Sequence, residues 1–289
     1  MYRYDLKAKT LAVRFRPALS IDTGAYEERQ VWYRSKDGTR VPMMLVHKKG
    51  LPRDGQAPTL LTGYGGFGIS MTPGFSSADF AWVERGGVLA VPCLRGGGEF
   101  GDAWHESGML ERKQNVFDDF IAAAEYLIAE RITSPLKLGI QGGSNGGLLM
   151  GAVLTQRPEL FKAVVCGVPL LDMLRYHQFL IARYWVPEYG SSEDATQYRF
   201  LKAYSPYHRV KPGTRYPATL IVTGESDTRV DPLHARKMAA LLQRHQGGQA
   251  PVLLYVETKA GHGAGKPLDK WVETTADTLG FLAWQLGGK

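Results

Sequence analysis

Ser144 is the residue whose sequence context most clearly indicates chemistry. It lies in the stretch QGGSNGGLL, residues 141–149, which places two glycines on each side of a Ser-Asn pair. A glycine costs roughly 1 kcal/mol relative to alanine in a helix interior, so these glycines must serve another purpose. A strand-like run, LKLGIQG, precedes the serine and an apolar helix-like run, GLLMGAVL, follows it. This order matches G-x-S-x-G at a tight strand-to-helix turn, which exposes a nucleophilic serine and aims the backbone N–H of Asn145 at an oxyanion.

A serine hydroxyl is a poor nucleophile unless a base takes its proton. The histidines downstream of it are His177, His208, His234, His245 and His262. His262 lies in the glycine-rich loop KAGHGAG, directly after the apolar strand-like run VLLYVE, where a flexible backbone can present an imidazole. We expect His234 and His245 to lie on the surface of a predicted helix, and His177 lies in an aromatic-rich segment as a competitor. The sequence therefore favours His262 as the base.

An acid that orients the imidazole is expected between the serine and the histidine in chain order. The stretch IVTGESDTRVDPLHARK, residues 221–237, offers Glu225, Asp227 and Asp231. Asp231 precedes a proline, which is typical of a helix start and therefore of a structural role. Asp227 falls in the loop between the strand and the helix, and it is our choice, with Glu225 as the alternative. Such a carboxylate selects the imidazole tautomer and stabilises the imidazolium.

The segments that must position these side chains alternate between strand and helix patterns. Buried-strand runs occur at 59–64, 87–93, 136–142, 163–168, 218–224 and 252–257, and helical patterns at 115–132, 145–156, 231–245 and 268–286. Residues 31–49 predict a β-hairpin with Asp37-Gly38 as its turn. Such alternation indicates the α/β class, with a mostly parallel central sheet and helices on both faces. Together with the serine turn it predicts an α/β-hydrolase fold.

The chain divides into a peripheral N-terminal segment, residues 1–30, and a hydrolase domain, residues 31–289. The first segment has no strong periodicity. Within the domain, residues about 172–207 are crowded with aromatic side chains and interrupt the alternation. Insertions of this kind commonly form a cap or a pocket wall. Plain packing over the edge of the sheet is the simpler explanation, and the two are compatible.

Composition limits the partners that we expect. The chain has 289 residues and a net charge of +7, but its basic residues are scattered and no nucleic-acid motif occurs, so we expect no nucleic-acid partner. No window approaches about 18 consecutive apolar residues, so we expect no membrane span. The first ten residues carry charges where an export signal needs an apolar run, which favours a cytoplasmic location. Cys93 and Cys166 lie in apolar runs and are expected to be buried free thiols, so no metal site is predicted.

Several longer motifs resemble one family. GYGGFGISMTP, RGGGEFG, KQNVFDDFIAAAEYLI, GGSNGGLL and TKAGHGAGKP are together similar to the catalytic domain of the prolyl oligopeptidase family. The similarity runs from about residue 20 to the C-terminus. It implies a serine peptidase that cleaves short peptides on the carboxyl side of proline without a cofactor. The catalytic residues of the family correspond to Ser144, Asp227 and His262, the same three residues that the motifs and their order favour.

The resemblance also implies roles that spacing alone does not. Tyr64 corresponds to the tyrosine whose hydroxyl joins the Asn145 amide in the oxyanion hole, although a core or turn tyrosine would be the default interpretation. Arg229 corresponds to an arginine that binds a substrate carbonyl beside the proline, where a solvated arginine is the alternative. Trp185 corresponds to an indole that stacks on the proline ring. The same pocket would be lined by Phe67, Leu170, Tyr189 and Val230, each of which core packing could also explain.

The sequence departs from the family pattern at its N-terminal end. Family members carry a β-propeller over the active site and an N-terminal segment that completes the hydrolase domain, and residues 1–289 contain no counterpart of either. Residues 1–30 resemble a remnant of the propeller-to-hydrolase connection. The chain thus resembles either an excised catalytic domain or a hydrolase that never carried a propeller. The surface that a propeller would cover is a candidate for self-association.

A site without a propeller is expected to be open and wet, which weakens its electrostatics. Esters demand less positioning than peptide bonds, so a carboxylic ester hydrolase with weak peptidase activity is the alternative function. A non-catalytic binding module would be expected to lack at least one of the three catalytic residues. An oxidoreductase assignment from RGGGEFG lacks the full glycine motif and its acidic partner.

Overall fold

A computed structural model describes residues 1–15, 21–263 and 266–287. The strands of these residues are β1 (Tyr2–Asp5), β2 (Thr10–Val13), β3 (Tyr26–Arg34), β4 (Arg40–Lys48), β5 (Thr59–Thr62), β6 (Val88–Pro92), β7 (Leu138–Gly143), β8 (Ala163–Gly167), β9 (Ala218–Gly224) and β10 (Val252–Glu257). The α-helices are α1 (Ser77–Glu84), α2 (Asp102–Glu106), α3 (Gln114–Ala129), α4 (Asn145–Gln156), α5 (Val186–Tyr189), α6 (Ala195–Tyr204), α7 (Pro206–Arg209), α8 (Leu233–His245) and α9 (Leu268–Leu286). None of these described helices is both long and apolar enough to cross a bilayer.

Eight strands form one central sheet in the order β10-β9-β8-β7-β5-β6-β4-β3. The pairs β3/β4 and β4/β6 are antiparallel, and the other neighbours are parallel. In a parallel sheet the carboxyl ends of the strands meet at one edge, where ligands and catalytic groups usually lie. The loops after β5, β7, β8, β9 and β10 therefore converge on the same edge, and these loops carry the predicted site residues.

Side chains of the parallel strands alternate between two apolar layers. In β8, Val164 and Cys166 join the larger core, while Ala163 and Val165 join a smaller core on the other face. This alternation follows from the two-residue period of a strand. Helices α3, α4 and α8 pack into the larger core, and α1 and α9 pack into the smaller one. The expected mostly parallel sheet with helices on both faces is confirmed.

Most predicted boundaries agree with the structure. For the ten strands and helices predicted outside the hairpin, observed and predicted ends differ by at most three residues. The hairpin is confirmed, since Arg34 pairs with Arg40 across the turn, but its first strand begins at Tyr26 rather than at residue 31. The added residues, such as Glu27 and Glu28, are polar and half or fully exposed, so no buried face marks them in the sequence.

The N-terminal segment contains a second hairpin that the sequence did not predict. Strand β1 pairs with β2 antiparallel, from Tyr2 opposite Val13 to Asp5 opposite Thr10. All eight residues of the two strands are exposed. Burial periodicity cannot mark strands that bury neither face, which explains why this hairpin escaped the sequence analysis.

The aromatic-rich segment 172–207 folds into the short helices α5, α6 and α7 and two 3-10 turns. Its side chains Tyr176, Tyr189 and Tyr204 are buried in the larger core. Helix α7 contacts α4, the helix that follows Ser144. The segment therefore packs as part of the domain and stands beside the catalytic edge.

The two cysteines differ in burial. Cys166 is buried, as expected, and donates its thiol to the carbonyl oxygen of Gly147 at 3.2 Å. Cys93 is only partly buried, so the expectation of burial was too strong for this residue. It lies just beyond the last residue of β6, where the apolar run gives way to the loop that follows. Both thiols are free.

Candidate active site

Ser144 occupies a strained turn between β7 and α4. Its backbone has φ +58° and ψ −118°, a conformation that L-residues rarely adopt. The backbone N–H of Ser144 donates to the carbonyl oxygen of Gly167 at 2.9 Å, which fixes the turn to the neighbouring strand. A Cβ atom on Gly142 would lie 2.5 Å from the carbonyl oxygen of Gly146. Glycine is therefore required beside the serine, as the tight-turn interpretation predicts.

The structure brings Ser144, Asp227 and His262 together. His262 Nε2 lies 3.0 Å from the Ser144 hydroxyl oxygen, although 118 residues separate the two. His262 Nδ1 lies 2.6 Å from Asp227 Oδ2. Both distances are within the range that a nucleophile, a base and an orienting acid require. The imidazole can therefore accept the hydroxyl proton on one nitrogen while the other donates to the carboxylate.

Asp227 is held as a carboxylate by its surroundings. Burial alone raises the pKa of this carboxyl, but hydrogen bonds from His262 and from the backbone N–H groups of Val230 and Arg229 lower it below its ordinary value. The two backbone groups donate to Oδ1 at 3.0 and 2.8 Å. Glu225, the alternative acid, is exposed and makes no described contact with the imidazole. Asp231 accepts the N–H of Leu233 at 2.9 Å, the capping role that its position predicted.

The predicted oxyanion residues, Asn145 and Tyr64, both lie next to Ser144. Asn145 is the first residue of α4, so its N–H has no acceptor within the helix and lies at the positive end of the helix dipole. Tyr64 follows β5, the strand next to β7. Burial raises the pKa of the Tyr64 phenol, while hydrogen bonding to Ser144 and the charge of Arg229 oppose that rise. The phenol therefore stays protonated at neutral pH and can donate to a developing negative charge.

The side chain of Asn145 has a role that sequence reasoning missed. Its Nδ2 donates to the carbonyl oxygen of Tyr64 at 2.6 Å, and its Oδ1 accepts the hydroxyl of Tyr189 at 2.8 Å. The amide thus joins the loop after β5 to the aromatic segment. An asparagine directly after the nucleophile, where helix propensity favours other residues, is the signal that could have indicated this role.

The predicted pocket residues fall into two groups. Leu170, Tyr189 and Val230 are buried in the larger core, whereas Phe67 and Trp185 are only partly buried and pack against it. The rings of Phe67 and Tyr189 meet edge to face, with centroids 5.5 Å apart. Hydrogen bonds and ring contacts therefore connect Phe67 and Tyr189 to Asn145.

Three of the other four pocket candidates, Trp185, Arg229 and Leu170, are placed less directly. Trp185 lies on the turn just before α5, the helix that carries Tyr189. Arg229 is exposed, and its charge acts on the Tyr64 phenol. Leu170 lies beyond the end of β8. Trp185 and Leu170 make none of the described hydrogen bonds or ring contacts with Phe67 or Tyr189.

His234 contradicts its predicted surface position. Its side chain is 2% exposed, and its Nδ1 accepts the backbone N–H groups of Leu171 and Asp172 at 3.4 and 3.2 Å. Burial lowers the pKa of this imidazole to about 4. The helix spacing carried the signal, because His234 precedes Met238 and Leu242, both buried, by four and eight residues. His234 is a core residue of α8 and not a candidate base.

The remaining downstream histidines make none of the described contacts with Ser144. His245 is partly exposed, and His177 lies 3.4 Å from Glu193 within the aromatic segment. His208 contacts the hydroxyl of Ser205 at 2.9 Å. His262 is the one downstream histidine with a described hydrogen bond to Ser144.

Comparisons with known proteins identify the family of this chain. The family profile described as prolyl oligopeptidase family matches residues 73–289. The chain is 45% identical over 290 residues to a prolyl endopeptidase of Elizabethkingia meningoseptica, covering all of this chain and 41% of that relative. It is 46% identical over 270 residues to a prolyl endopeptidase of Dictyostelium discoideum, covering 91% of this chain and 36% of that relative.

Solved structures show the same likeness. A structure from a study of two prolyl endopeptidases superposes with a TM-score of 0.97 at 51% identity, covering 100% of this chain and 42% of its own. A post-proline cleaving enzyme from Rickettsia typhi superposes with a TM-score of 0.96 at 39% identity, covering 100% of this chain and 41% of its own. The chain thus spans about two fifths of the length of these relatives. It belongs to the prolyl oligopeptidase family, and it corresponds to the α/β-hydrolase catalytic domain of that family.

Proposed function

We propose that this chain is a serine hydrolase that cleaves short peptides on the carboxyl side of proline through an acyl-enzyme. The observation that carries the proposal is the pair of hydrogen bonds from Ser144 to His262 and from His262 to Asp227. The relatives named prolyl endopeptidase, at 45% identity over the whole chain, support the substrate class.

Acylation begins with attack of the Ser144 hydroxyl oxygen on the substrate carbonyl carbon while His262 Nε2 takes the hydroxyl proton. Negative charge develops on the carbonyl oxygen, and the Tyr64 hydroxyl and the Asn145 N–H donate to it. Collapse of the tetrahedral intermediate breaks the C–N bond, and His262 returns its proton to the leaving amine. Water, deprotonated by the same imidazole, then hydrolyses the ester on Ser144.

Preference for proline follows from the chemistry of the pocket residues. Proline presents an apolar ring whose C–H groups pack favourably on an aromatic face. Phe67 and Trp185 offer partly exposed aromatic surface, and Tyr189 supports it from the core. Arg229, exposed beside the catalytic acid, offers a donor for a substrate carbonyl. Together they favour a compact ring over a long or charged side chain.

Ester hydrolysis is the second candidate, and the exposure of the site favours it. The Arg229 side chain is exposed, and the side chains of Trp185 and Phe67 are partly exposed. Water in an open site screens the charges that stabilise an oxyanion. Esters with a good leaving group require less stabilisation than amides, so we propose clear ester hydrolysis and weaker peptide cleavage.

Labelling and a small substrate panel test both candidates. The protein is treated with a fluorophosphonate probe, the labelled residue is identified by peptide mapping, and Gly-Pro and Gly-Ala p-nitroanilides are compared with p-nitrophenyl acetate. We expect labelling at Ser144, and faster cleavage of the proline amide than of the alanine amide. The Ser144→Ala variant is the control, and hydrolysis that survives in the purified variant would reject the assignment.

A further inference from the structure

The loop that carries Tyr64 and Phe67 has an unusual backbone. We call residues 64–68 the oxyanion loop. Gly65, Phe67 and Gly68 have positive φ values of +63°, +57° and +62°. This conformation is costly for a phenylalanine, on the order of 1–3 kcal/mol, and persists only when surrounding contacts enforce it. The groups that enforce it are therefore candidates for control of the site.

Two charged side chains provide these contacts from elsewhere in the chain. Lys113 Nζ donates to the carbonyl oxygen of Gly65 at 3.0 Å. Glu188 Oε1 accepts the backbone N–H of Phe67 at 3.1 Å and lies 3.4 Å from Lys113 Nζ. The lysine and glutamate side chains are only 1% and 5% exposed. An ion pair thus holds the oxyanion loop at two consecutive peptide groups.

Stability alone is a poor explanation for this ion pair. Taking two charges out of water is costly, and apolar residues of similar volume are often as stabilising or more so. Burial lowers the pKa of Lys113 to about 8, and the charge of Glu188 only partly opposes this. The other groups around the pair are His105, whose Nε2 lies 2.7 Å from Glu188 Oε2, and the Tyr189 ring, 5.2 Å from Lys113 Nζ. A position next to the oxyanion loop gives the pair a use beyond stability.

Hydrogen bonds also link the helix of the ion pair to Asn145, the residue after the nucleophile, and from there back to the oxyanion loop. Glu188 precedes Tyr189 on α5, and the Tyr189 hydroxyl donates to the Asn145 side chain. The Asn145 side chain in turn donates to the carbonyl oxygen of Tyr64, the first residue of the oxyanion loop. A shift of the ion pair would therefore move the Tyr64 hydroxyl relative to the Asn145 N–H.

We propose that the buried Lys113–Glu188 pair is a positioning element that holds the oxyanion loop against Ser144 and thereby governs transition-state stabilisation. This inference rests on the proposed serine hydrolase function. Lys113 and Glu188 touch the loop backbone and not the reacting atoms. Their effect is therefore expected in kcat on p-nitrophenyl acetate, with KM for this ester nearly unchanged, because the ester does not fill the pocket that Phe67 lines.

Three variants test the inference, namely Glu188→Gln, Lys113→Met and the double variant. Misplacement by about 1 Å can cost about 100-fold in rate, so we expect each single variant to lower kcat and the rate of Ser144 labelling by about 10- to 100-fold. Each single variant leaves one buried charge uncompensated and should also lower Tm. The double variant should recover much of that stability but stay at least about tenfold slow, because the donor to Gly65 is missing.

Lys237→Met provides the matched control. Lys237 pairs with the buried Asp172 between α8 and the aromatic segment, and neither residue has a described contact with the oxyanion loop. Removal of this lysine should lower Tm while kcat and the labelling rate stay within about threefold of wild type. Melting curves followed by circular dichroism give Tm and the folded fraction used to normalise all rates.

Four results would overturn the inference or separate it from the proposed function. Single variants that keep kcat and labelling rate within about threefold of wild type overturn it, as does a double variant that regains wild-type rates with its stability. If neither single variant folds, the double variant decides by its rates.

A wild-type chain that cleaves no proline amide but is labelled at Ser144 refutes the substrate class alone, and the labelling rates still test the ion pair. An unlabelled wild-type Ser144 refutes both.

Discussion

The phenolic hydroxyl of Tyr189 donates to the side-chain oxygen of Asn145 at 2.8 Å, so a residue of the proposed proline pocket is hydrogen-bonded directly to a residue of the proposed oxyanion hole. Both side chains are almost fully buried. The other end of the Asn145 amide binds the carbonyl oxygen of Tyr64. The proposed pocket and the proposed oxyanion hole are therefore one hydrogen-bonded unit. A substitution in the pocket is expected to change the rate of the chemical step.

Tyr189→Phe tests this unit. The substitution removes the donor and leaves Asn145 Oδ1 buried without a partner, which costs about 1–3 kcal/mol of stability. We expect lower unfolding free energy in urea and a reduced kcat. Tyr204→Phe is the matched control, because the buried Tyr204 hydroxyl has no hydrogen-bond partner among the residues that the structure describes, and its removal should not destabilise the protein. Equal behaviour of the two variants would contradict the expected coupling.

Asp227→Asn tests the identity of the acid. The change keeps the shape of the side chain but favours the wrong imidazole tautomer, and kcat should fall by about 10⁴-fold. Glu225→Gln, at an exposed position of the same loop, should leave kcat unchanged. Steady-state kinetics on the ester and on the proline amide measure both. A larger loss in the Glu225 variant would assign the acid to that residue.

Trp185→Ala tests the specificity pocket. Loss of the indole removes stacking worth about 0.5–1.5 kcal/mol beyond the buried area, so kcat/KM for the proline amide should fall about 10-fold or more. The acetate ester does not fill the pocket and should be hydrolysed at nearly the wild-type rate. Tyr184→Ala removes an adjacent aromatic ring that is exposed and serves as the control. A parallel loss on both substrates would argue against a stacking role.

The buried imidazole of His234 is expected to make the folded state less stable as pH falls. Its folded-state pKa of about 4 lies below the ordinary value of 6.5. As pH falls through 6.5, the unfolded chain binds a proton that the folded protein does not take up until about pH 4, so stability is lost across that window. The loss from this group is at most about 3 kcal/mol, at 1.36 kcal/mol per pKa unit.

Urea unfolding between pH 7 and pH 4 measures this loss. His234→Gln keeps an acceptor for the N–H groups of Leu171 and Asp172 but cannot titrate, so its stability should change less across the window. His245→Gln, at a partly exposed site on the same helix, should retain the wild-type slope. An unchanged slope in the His234 variant would assign the acid sensitivity to other groups.

The positions of most strands and helices were predictable because they depend on local patterns. A short continuous apolar run marks β9, and an apolar run after the glycine turn marks α4, and the predicted and observed bounds of both coincide. The residues of the triad were predictable for a related reason. They follow β7, β9 and β10, and parallel strands bring those loops to one edge of the sheet.

Features without a local pattern could not be predicted. The exposed hairpin of β1 and β2 buries neither face, and only Tyr2 and Tyr4 alternate with charged residues, a pattern too short to indicate a strand by itself. The partner of His234 is the backbone after β8, which lies more than 60 residues upstream. Spacing on α8 indicates that this histidine faces inward, but only packing reveals the two N–H groups that satisfy its ring.

The sequence by itself determined that a reactive serine stands at a glycine-lined turn and that an acid and a histidine follow on later strands. Glycines and apolar runs are local features of the sequence, and the order of the three residues can be read along the chain. Tertiary structure alone decided which buried charges meet. Lys113 and Glu188 are 75 residues apart, and they come together beneath the oxyanion loop because α3 and α5 pack into the same core. Coulombic pairing depends on distance and burial in three dimensions, which no local pattern encodes.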